Sequence, residues 1–142
     1  MPAELLNAEA IVGSYLRDHA DLKALEARVL GQTPSTTDKP WVRITQHHAS
    51  NATGTRKVEH LVAYWLQLDC YAGAKGGQAE AVALNAAVRA ALVAITAASL
   101  EGAVATDVEF LSNPRIPDDA IEPARERFVL DAEIYLHPAP SS

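Results

Sequence analysis

Three histidines and the only cysteine are the residues of this sequence best suited to nucleophilic or transition-metal chemistry. His47, His48 and His60 lie close together in the chain, and Cys70 follows them. Imidazole nitrogen and thiolate sulfur are good ligands for zinc and copper. Neighbouring strand residues point to opposite faces, however, and the chain contains no HExxH or paired Cys/His spacing. We therefore expect no metal site here, and we expect Cys70 to be a buried, inert side chain.

Five carboxylates at alternating positions of predicted strands are a second candidate for chemistry. Hard divalent cations take several carboxylate oxygens at once. The spacing of these residues matches no metal-binding loop, and solvated sheet faces commonly carry charge. We therefore expect solvent or an interface, rather than a metal, beside them. This predicted acidic face consists of Asp69, Asp107, Glu109, Asp131 and Glu133.

The glycine-rich segment 72–77, AGAKGG, connects a predicted strand to a predicted helix. Backbone N–H groups at such a junction can hold a phosphate, helped by the positive end of the helix dipole. The segment lacks the GxxxxGK[ST] and GxGxxG spacings, so we interpret it as a flexible connection. We expect no catalytic residue, no metal and no cofactor, and therefore no enzyme activity.

Composition bounds the class of protein. The chain has 142 residues, 49% hydrophobic and 21% charged, which is typical of one globular domain spanning residues 1–142. Its net charge of -6 argues against a nucleic-acid-binding protein, which needs an excess of Lys and Arg. The N-terminal residues lack a secretion-signal pattern. The apolar stretch 79–100 is mostly alanine and carries Glu80, Asn85 and Arg89, so we expect no membrane partner.

Apolar residues at helical spacing predict three helices. Residues 3–18 carry one apolar stripe, and Leu22, Leu25 and Val29 predict a second, shorter helix. The main helix is predicted over residues 79–98, and its many alanines would let it lie close against a sheet.

Alternating apolar residues predict four strands, at 41–48, 62–70, 104–110 and 128–136. The order of elements predicts an α+β fold, a four-stranded antiparallel sheet (ββαββ) on which the long Ala-rich helix and the N-terminal helical region pack. We expect residues 137–142 to be a frayed tail.

The alternation also places Trp65 and Tyr71 on the sheet face that points away from the core. Large aromatic side chains outside a core often anchor a protein interface. A second interpretation is that the first helix packs over that face and covers both rings. The sequence leaves these two interpretations open.

The order of elements resembles the tail terminator (tail completion) proteins of long-tailed bacteriophages over nearly the whole chain. The resemblance rests on RKVEHLVAYWLQLDCYAGAKGGQAEAVALNAAVRAAL and the closing RERFVLDAEIYLHP. Pro40-Trp41-Val42 fits the family's Pro-aromatic strand start, and Asp69-Cys70-Tyr71-Ala72 fits its polar-aromatic turn.

The resemblance implies a structural virion protein and no reaction. It implies a homo-oligomeric ring, usually a hexamer, that caps the tail tube, ends tube polymerisation and joins the tail to the head connector. The partners would be the tail-tube protein and the head–tail connector protein, and DNA would pass through without specific binding. The protein would assemble in the cytoplasm of the host bacterium and reside at the tail–head junction of the virion.

On this interpretation, the predicted loops 49–56 and 112–123 reach neighbouring rings, and the acidic face lines the lumen. The candidate inter-subunit or ring-interface residues are Trp65, Tyr71, Asn51, Arg56, Arg115, Asp118 and Glu122.

Two alternatives remain at the level of sequence. The chain could be another phage neck or minor tail component, because a fold does not determine position in a virion. It could also be a small ferredoxin-like ligand-binding domain or enzyme with a cleft between helix and sheet.

Overall fold

The computed structural model describes residues 6–51, 61–121 and 124–139. These residues form both α-helices and β-strands. In chain order the elements are α1 (Ala8–Asp18), α2 (Ala20–Ala24), β1 (Arg28–Leu30), β2 (Trp41–Asn51), β3 (Val62–Tyr71), α3 (Gln78–Val93), a 3-10 turn (Ala94–Ala97), β4 (Ala103–Ser112) and β5 (Arg127–Pro138).

The strands form one five-stranded mixed sheet in the order β1-β2-β3-β5-β4. The α+β class is as predicted, but the expectation of four antiparallel strands is wrong in detail, because β1 pairs parallel to β2. Val29 was predicted on a second helix and instead lies in β1. Leu22 is buried from α2, which ends at Ala24. A strand of three residues is too short to show alternation, so an apolar residue in it can be assigned to a helical stripe.

The central strand β3 provides one side of the core. Five alternate residues share its buried face, as the alternation predicted, and all of them belong to one hydrophobic cluster. Their side chains are 0 or 1% exposed, which removes water from the middle of the sheet. These residues are Val62, Tyr64, Leu66, Leu68 and Cys70.

All three helices pack on this same face of the sheet. Val12 of α1, Leu22 of α2 and Leu84 of α3 lie in the same cluster as the buried face of β3. The Tyr15 hydroxyl of α1 donates a hydrogen bond of 2.6 Å to the Ala91 carbonyl of α3, which ties two helices together. The interpretation in which α1 covers the opposite face is therefore wrong, because α1 buries its apolar stripe beside α3.

The helical stretch Gln78–Ala97 has the length and hydropathy of a membrane-spanning helix. Leu84, Val88 and Leu92 on this stretch are nevertheless fully buried in the core. A core helix satisfies the same length and hydropathy criteria, and this packing accounts for the apolar stripe of α3 that faces the sheet.

The segment 31–40 folds back over the end of the sheet where β2 begins and β3 ends. Trp41 and Tyr71 lie at this end with ring centroids 4.3 Å apart and stacked, and neither is exposed to solvent. The Ala74 N–H donates to the Thr37 carbonyl at 2.9 Å. Gly73 lies so close to Asp38 that a Cβ atom there would overlap the Asp38 carbonyl group.

The connection between β4 and β5 continues their pairing beyond the sheet, and we call residues 113–121 and 124–126 the hairpin arm. Arg115 bridges to Phe128, and Asp118 bridges to Arg125 through two backbone hydrogen bonds of 2.9 and 3.1 Å. The predicted loop 112–123 is thus an extension of the hairpin in its described part.

Side-chain hydrogen bonds hold the hairpin arm against the body of the protein. The Asn85 and Asn113 side-chain amides each donate to the other at 2.9 Å, which joins the arm to α3. The Tyr71 hydroxyl donates to Asp118 Oδ2 at 2.8 Å, which joins the arm to β3.

The last strand, β5, extends further than predicted. His137 and Pro138 are the last residues of β5, so a frayed tail cannot begin at His137. Pairing with the first residues of β4 continues the sheet to this point. Residues 140–142 lie outside the described residues.

We predict that Gly73→Ala destabilises the fold by about 1–3 kcal/mol, because the new methyl group must push the 31–40 segment away from the end of β3. Gly31→Ala is the matched control, since nothing lies within 4 Å of a Cβ there. Urea unfolding of both variants checks this expectation. Equal unfolding midpoints for the two variants would show that the close approach at Gly73 does not constrain the fold.

We also predict acid sensitivity from Asp118. Burial acts to raise the pKa of this carboxyl, but hydrogen bonds from the Tyr71 hydroxyl and the Ala120 N–H, with the charge of Arg127, outweigh it and lower the pKa. A carboxyl with a lowered folded-state pKa stabilises the fold above its unfolded pKa of about 3.9, and this contribution disappears as pH falls through the folded-state pKa.

The stability difference between the wild type and Asp118→Asn should therefore shrink as pH falls from about 6 to below about 4. The measurement is the urea midpoint of each protein across this range, with exposed Asp119→Asn as the control. A difference that stays constant with pH would contradict the assigned role of Asp118.

Candidate functional site

The sheet face opposite the helices, which we call the outer face, is not covered by any α-helix among the described residues. Within the described residues, every α-helix contributes to the core on the other side. Near the start of β2, the outer face contacts segment 31–40 through a 3.0 Å hydrogen bond from Arg43 Nη1 to Thr33 Oγ1. The remainder of the outer face is polar and charged along β4 and β5.

Asp69 does not act as a free charge on this face, and its predicted place in an exposed acidic surface is wrong. It is only 1% exposed. Arg43 Nη2 lies 2.7 Å from Asp69 Oδ2, and Gln67 Nε2 donates to Asp69 Oδ1 at 2.8 Å. A buried carboxylate needs such partners, because removing it from water without them costs several kcal/mol. Asp69 therefore stabilises the junction of β2 and β3.

The other four predicted carboxylates do come together on neighbouring strands. Glu109 of β4 lies directly opposite Glu133 of β5, and Asp107 lies opposite Tyr135. Like charges directly opposite each other on a sheet are destabilising. We use the name acidic patch for these four residues, which are Asp107, Glu109, Asp131 and Glu133.

The surroundings of the acidic patch supply little compensation. Asp131 Oδ2 accepts a 3.0 Å hydrogen bond from Ser112 Oγ, whereas Asp131 Oδ1 is buried and has no hydrogen-bond partner among the described residues. Burial, followed by the charges of Glu133, Glu109 and Asp107, raises the pKa of the Tyr135 hydroxyl. No basic side chain in the described ranges forms an ion pair with the patch. The patch therefore presents concentrated negative charge.

The two predicted aromatic anchors differ in exposure. Trp65 is 38% exposed beside His47, with ring centroids 5.1 Å apart, and lies opposite Glu133. Tyr71 is fully buried, so the prediction that it is an exposed anchor is wrong. Alternation placed Tyr71 on the outer face correctly, but Trp41 stacks on its ring there, the Arg43 and Arg127 side chains flank it, and Asp118 of the hairpin arm accepts from its hydroxyl.

The predicted loop residues are divided between the hairpin arm and the segment that is not described. Arg115 pairs with Glu126 of the same chain at 2.7 Å, and Asp118 accepts from Tyr71. Both side chains thus hold the arm in shape. Asn51 is the last residue of β2, and its side chain is not described. Arg56 and Glu122 lie outside the described residues.

The glycine-rich turn before α3 has its N–H groups largely engaged. The Gly73 N–H donates to Glu80 Oε1 at 2.6 Å, so a carboxylate of the same chain occupies the position that a phosphate would take. The Gly76 N–H donates to the Gly73 carbonyl at 3.1 Å. The interpretation as a phosphate cradle therefore has no support in this geometry.

The cysteine and histidine side chains do not form a reactive site or a metal site in the described part of the chain. Cys70 is buried, and burial together with the charge of Asp69 raises the pKa of its thiol, which disfavours the reactive thiolate. Within the described ranges, no group of three or more His, Cys, Asp or Glu side chains is placed to hold a metal ion. His47 Nε2 lies 2.8 Å from Gln67 Oε1, and Gln67 Nε2 in turn donates a hydrogen bond to Asp69 Oδ1.

A shallow cleft of about 400 Å³ lies between α1 and the turn before β4. Its lining includes Tyr15, His19 and Glu101, but the Tyr15 hydroxyl is already bonded to the Ala91 carbonyl. The outer face, rather than this cleft, is where charge and an exposed aromatic side chain concentrate.

Sequence reasoning missed the polar contacts that position the hairpin arm. Arg127 Nε donates to the Ile116 carbonyl at 2.8 Å, and Arg125 Nη2 donates to Thr37 Oγ1 at 2.6 Å. These pairs are far apart in the chain and follow no short motif. The clearest local signal is the set of prolines at 114, 117 and 123, which indicated an irregular connection but not its contacts.

Comparisons with known proteins agree with this architecture. One solved structure, a chain from the "Virion of native gene transfer agent (GTA) particle", shares the fold with a TM-score of 0.64 at 22% sequence identity. That alignment covers 91% of this chain and 93% of the other. A search of curated proteins finds no match.

A comparison with protein families gives a match over most of the chain. The family is described as Tail completion protein gp17, and the match spans residues 10–134. These residues run from α1 into β5 and include the whole acidic patch. The chain therefore belongs to the Tail completion protein gp17 family.

Proposed function

We propose that this protein is a non-enzymatic virion component that forms a ring, usually a hexamer, on the end of the phage tail tube. The ring ends tube polymerisation and joins the tail to the head–tail connector at the tail–head junction. Family membership supports a role in completing the tail. The observation that carries the finer proposal is the one-sided fold, in which the helices cover one sheet face and leave an acidic patch on the other.

The acidic patch suits the lumen of such a ring. DNA passing through the lumen carries dense negative charge, and a wall of carboxylates repels phosphates instead of binding them. On an ordinary solvated surface, lysines and arginines are interspersed with the carboxylates and lower their mutual repulsion. Among the described residues, no lysine or arginine forms an ion pair with the acidic patch. We therefore assign the acidic patch to the lumen wall, with Asp131 and Glu133 of β5 in the wall itself and Asp107 and Glu109 of the edge strand β4 at its border with the next copy.

The two ends of the sheet would face different neighbours. The chain leaves β2 at Asn51 and enters β3 at Val62, at the opposite end of the sheet from Tyr71 and Arg127. The hairpin arm extends from the Tyr71 end. One end can therefore fit the last ring of the tail-tube protein, while the other end presents a different surface to the connector and refuses another tube subunit.

Several candidate residues gain specific roles in this proposal. Ile116, which is 45% exposed, gives the arm an apolar side chain beside the ion pair between Arg115 and Glu126. Leu111, which is 46% exposed, adds a second apolar side chain in β4 just before the arm. Trp65 is an exposed aromatic side chain available for contact on the outer face. Asn51, Arg56 and Glu122 remain proposed contact residues at the ends of the sheet.

The proposed capping role predicts a length limit on tail tubes. Purified protein is mixed with tail-tube protein under polymerising conditions and imaged by negative-stain electron microscopy. We expect tubes that stop growing and carry a ring of this protein at one end. Unlimited tubes with this protein left free in solution would contradict the capping role.

The lumen assignment predicts that reversing the charge of Asp131 and Glu133 to Lys hinders DNA passage, because fixed cations hold phosphates. The readouts are phage titre and the rate of DNA release from particles. Asp18→Lys with Asp21→Lys is the matched control, because it makes the same change in net charge at exposed positions in the helical layer. Unchanged titre and release in the Asp131/Glu133 variant would remove these residues from the lumen wall.

A further inference from the structure

The two edges of the sheet differ in charge, and this difference bears on how copies of the chain meet. If the outer face lines a lumen and the two sheet ends face neighbouring rings, the strands run along the ring axis. The free edge of β4 in one copy must then face the free edge of β1 in the next, since β1 and β4 are the outermost strands. This argument rests on the proposed ring.

The β4 edge is acidic. Asp107 and Glu109 are exposed, and Glu101 is exposed just before the strand begins. Asp107 Oδ1 accepts only a local 2.9 Å hydrogen bond from the Val108 N–H. In the described part of the chain, neither Asp107 nor Glu109 has an ion-pair partner.

The β1 edge carries arginines. Arg28 of β1 is exposed, and Arg17 of α1 lies beside the strand, where its Nη1 donates to the Val29 carbonyl at 3.0 Å. Glu9 is the carboxylate in the groove along this edge, and its Oε1 already accepts a 2.6 Å hydrogen bond from the Gln46 N–H. Asp18, next to Arg17 in the chain, lines the cleft on the other side of α1. The β1 edge therefore offers a positive surface to a partner.

Neither edge is suited to extending the sheet by strand pairing. The Val29 carbonyl of β1 already accepts a hydrogen bond from Arg17 Nη1, so it is not free to pair with another strand. The pairing of β4 is irregular between Ala105 and Asp107 and between Phe110 and Ser112, and bulges and charges are known protections of edge strands. A contact between these edges must therefore be made by side chains.

We infer that the ring contact is heterologous and electrostatic, with the acidic β4 edge of one copy (Asp107 and Glu109) docking against the basic β1 edge of the next (Arg17 and Arg28). The occupant of each edge is a second copy of this chain. A head-to-tail contact of this kind uses two different surfaces on each copy, so it can close into a ring.

The contact is tested by cross-linking between cysteine variants. Arg28→Cys and Glu109→Cys proteins are treated with a short bismaleimide, separately and mixed, free and in the presence of tail tubes. We expect no product from either variant alone, a dimer from the mixture, and a ladder ending at the ring size from the Arg28→Cys/Glu109→Cys double variant. Native Cys70 is buried and does not contribute products.

The other outcomes overturn the inference in distinguishable ways. Cross-linking of one variant with itself would indicate a two-fold contact between like edges. Products from Ala86→Cys on the exposed side of α3, with none from the mixed edge variants, would place the contact on the helical layer. Capped tubes without edge cross-links would leave the capping role intact and refute this contact. Edge cross-links without capped tubes would support this contact and contradict the capping role.

Charge reversal provides a second measurement. Glu109→Arg removes the repulsion with Glu133 within the sheet, so a loss of rings in this variant cannot be attributed to weaker folding. In the presence of tail tubes, we expect Glu109→Arg and Arg28→Glu each to lower the fraction of protein in rings, and their combination in one chain to restore it. Failure of the combined variant to recover rings above either single variant would refute the electrostatic pairing.

Discussion

The row of apolar side chains on β3 is the constraint on which the rest of the structure depends. β3 lies in the middle of the sheet, and its row from Val62 to Cys70 is sealed from water. Burial of that row is the main gain in free energy available to the sheet, so all three helices collect on its side. The opposite face is consequently left to polar side chains. The division into a helical layer and an outer face follows from the alternation of this one strand.

The outer face treats its carboxylates in two different ways. At one end, Asp69 is buried and satisfied by Arg43 and Gln67. On the neighbouring strands β4 and β5, Glu109 and Glu133 oppose each other, and neither forms an ion pair with a basic side chain among the described residues. Local departures from the arrangement that is best for stability are expected at functional sites. The functional interpretation of the outer face therefore rests on the facing carboxylates of β4 and β5.

The sequence predicted the regular parts of this fold well and the long-range contacts poorly. Alternation located both faces of β3, because period-two patterns follow directly from strand geometry. It missed β1, whose three residues contain a single buried side chain, Val29. It also treated Asp69 and Tyr71 as exposed. Asp69 is buried next to Arg43, which lies opposite it on β2, and Tyr71 is buried against the stacked Trp41 ring and Asp118. No local sequence pattern encodes these long-range contacts.

The same charges that suit a lumen must oppose closure of the proposed ring. Each copy carries a net charge of -6, and a ring would gather one acidic patch from every copy around a common axis. This repulsion acts over roughly 8–10 Å at moderate salt, so it would act mainly between acidic patches of copies that are adjacent in the ring. In the proposed ring, contacts between the acidic and basic edges would offset the repulsion only in part, so free copies would favour dispersal. A tube end that binds several copies supplies the missing free energy by mass action, which would confine ring formation to the place where a cap is needed.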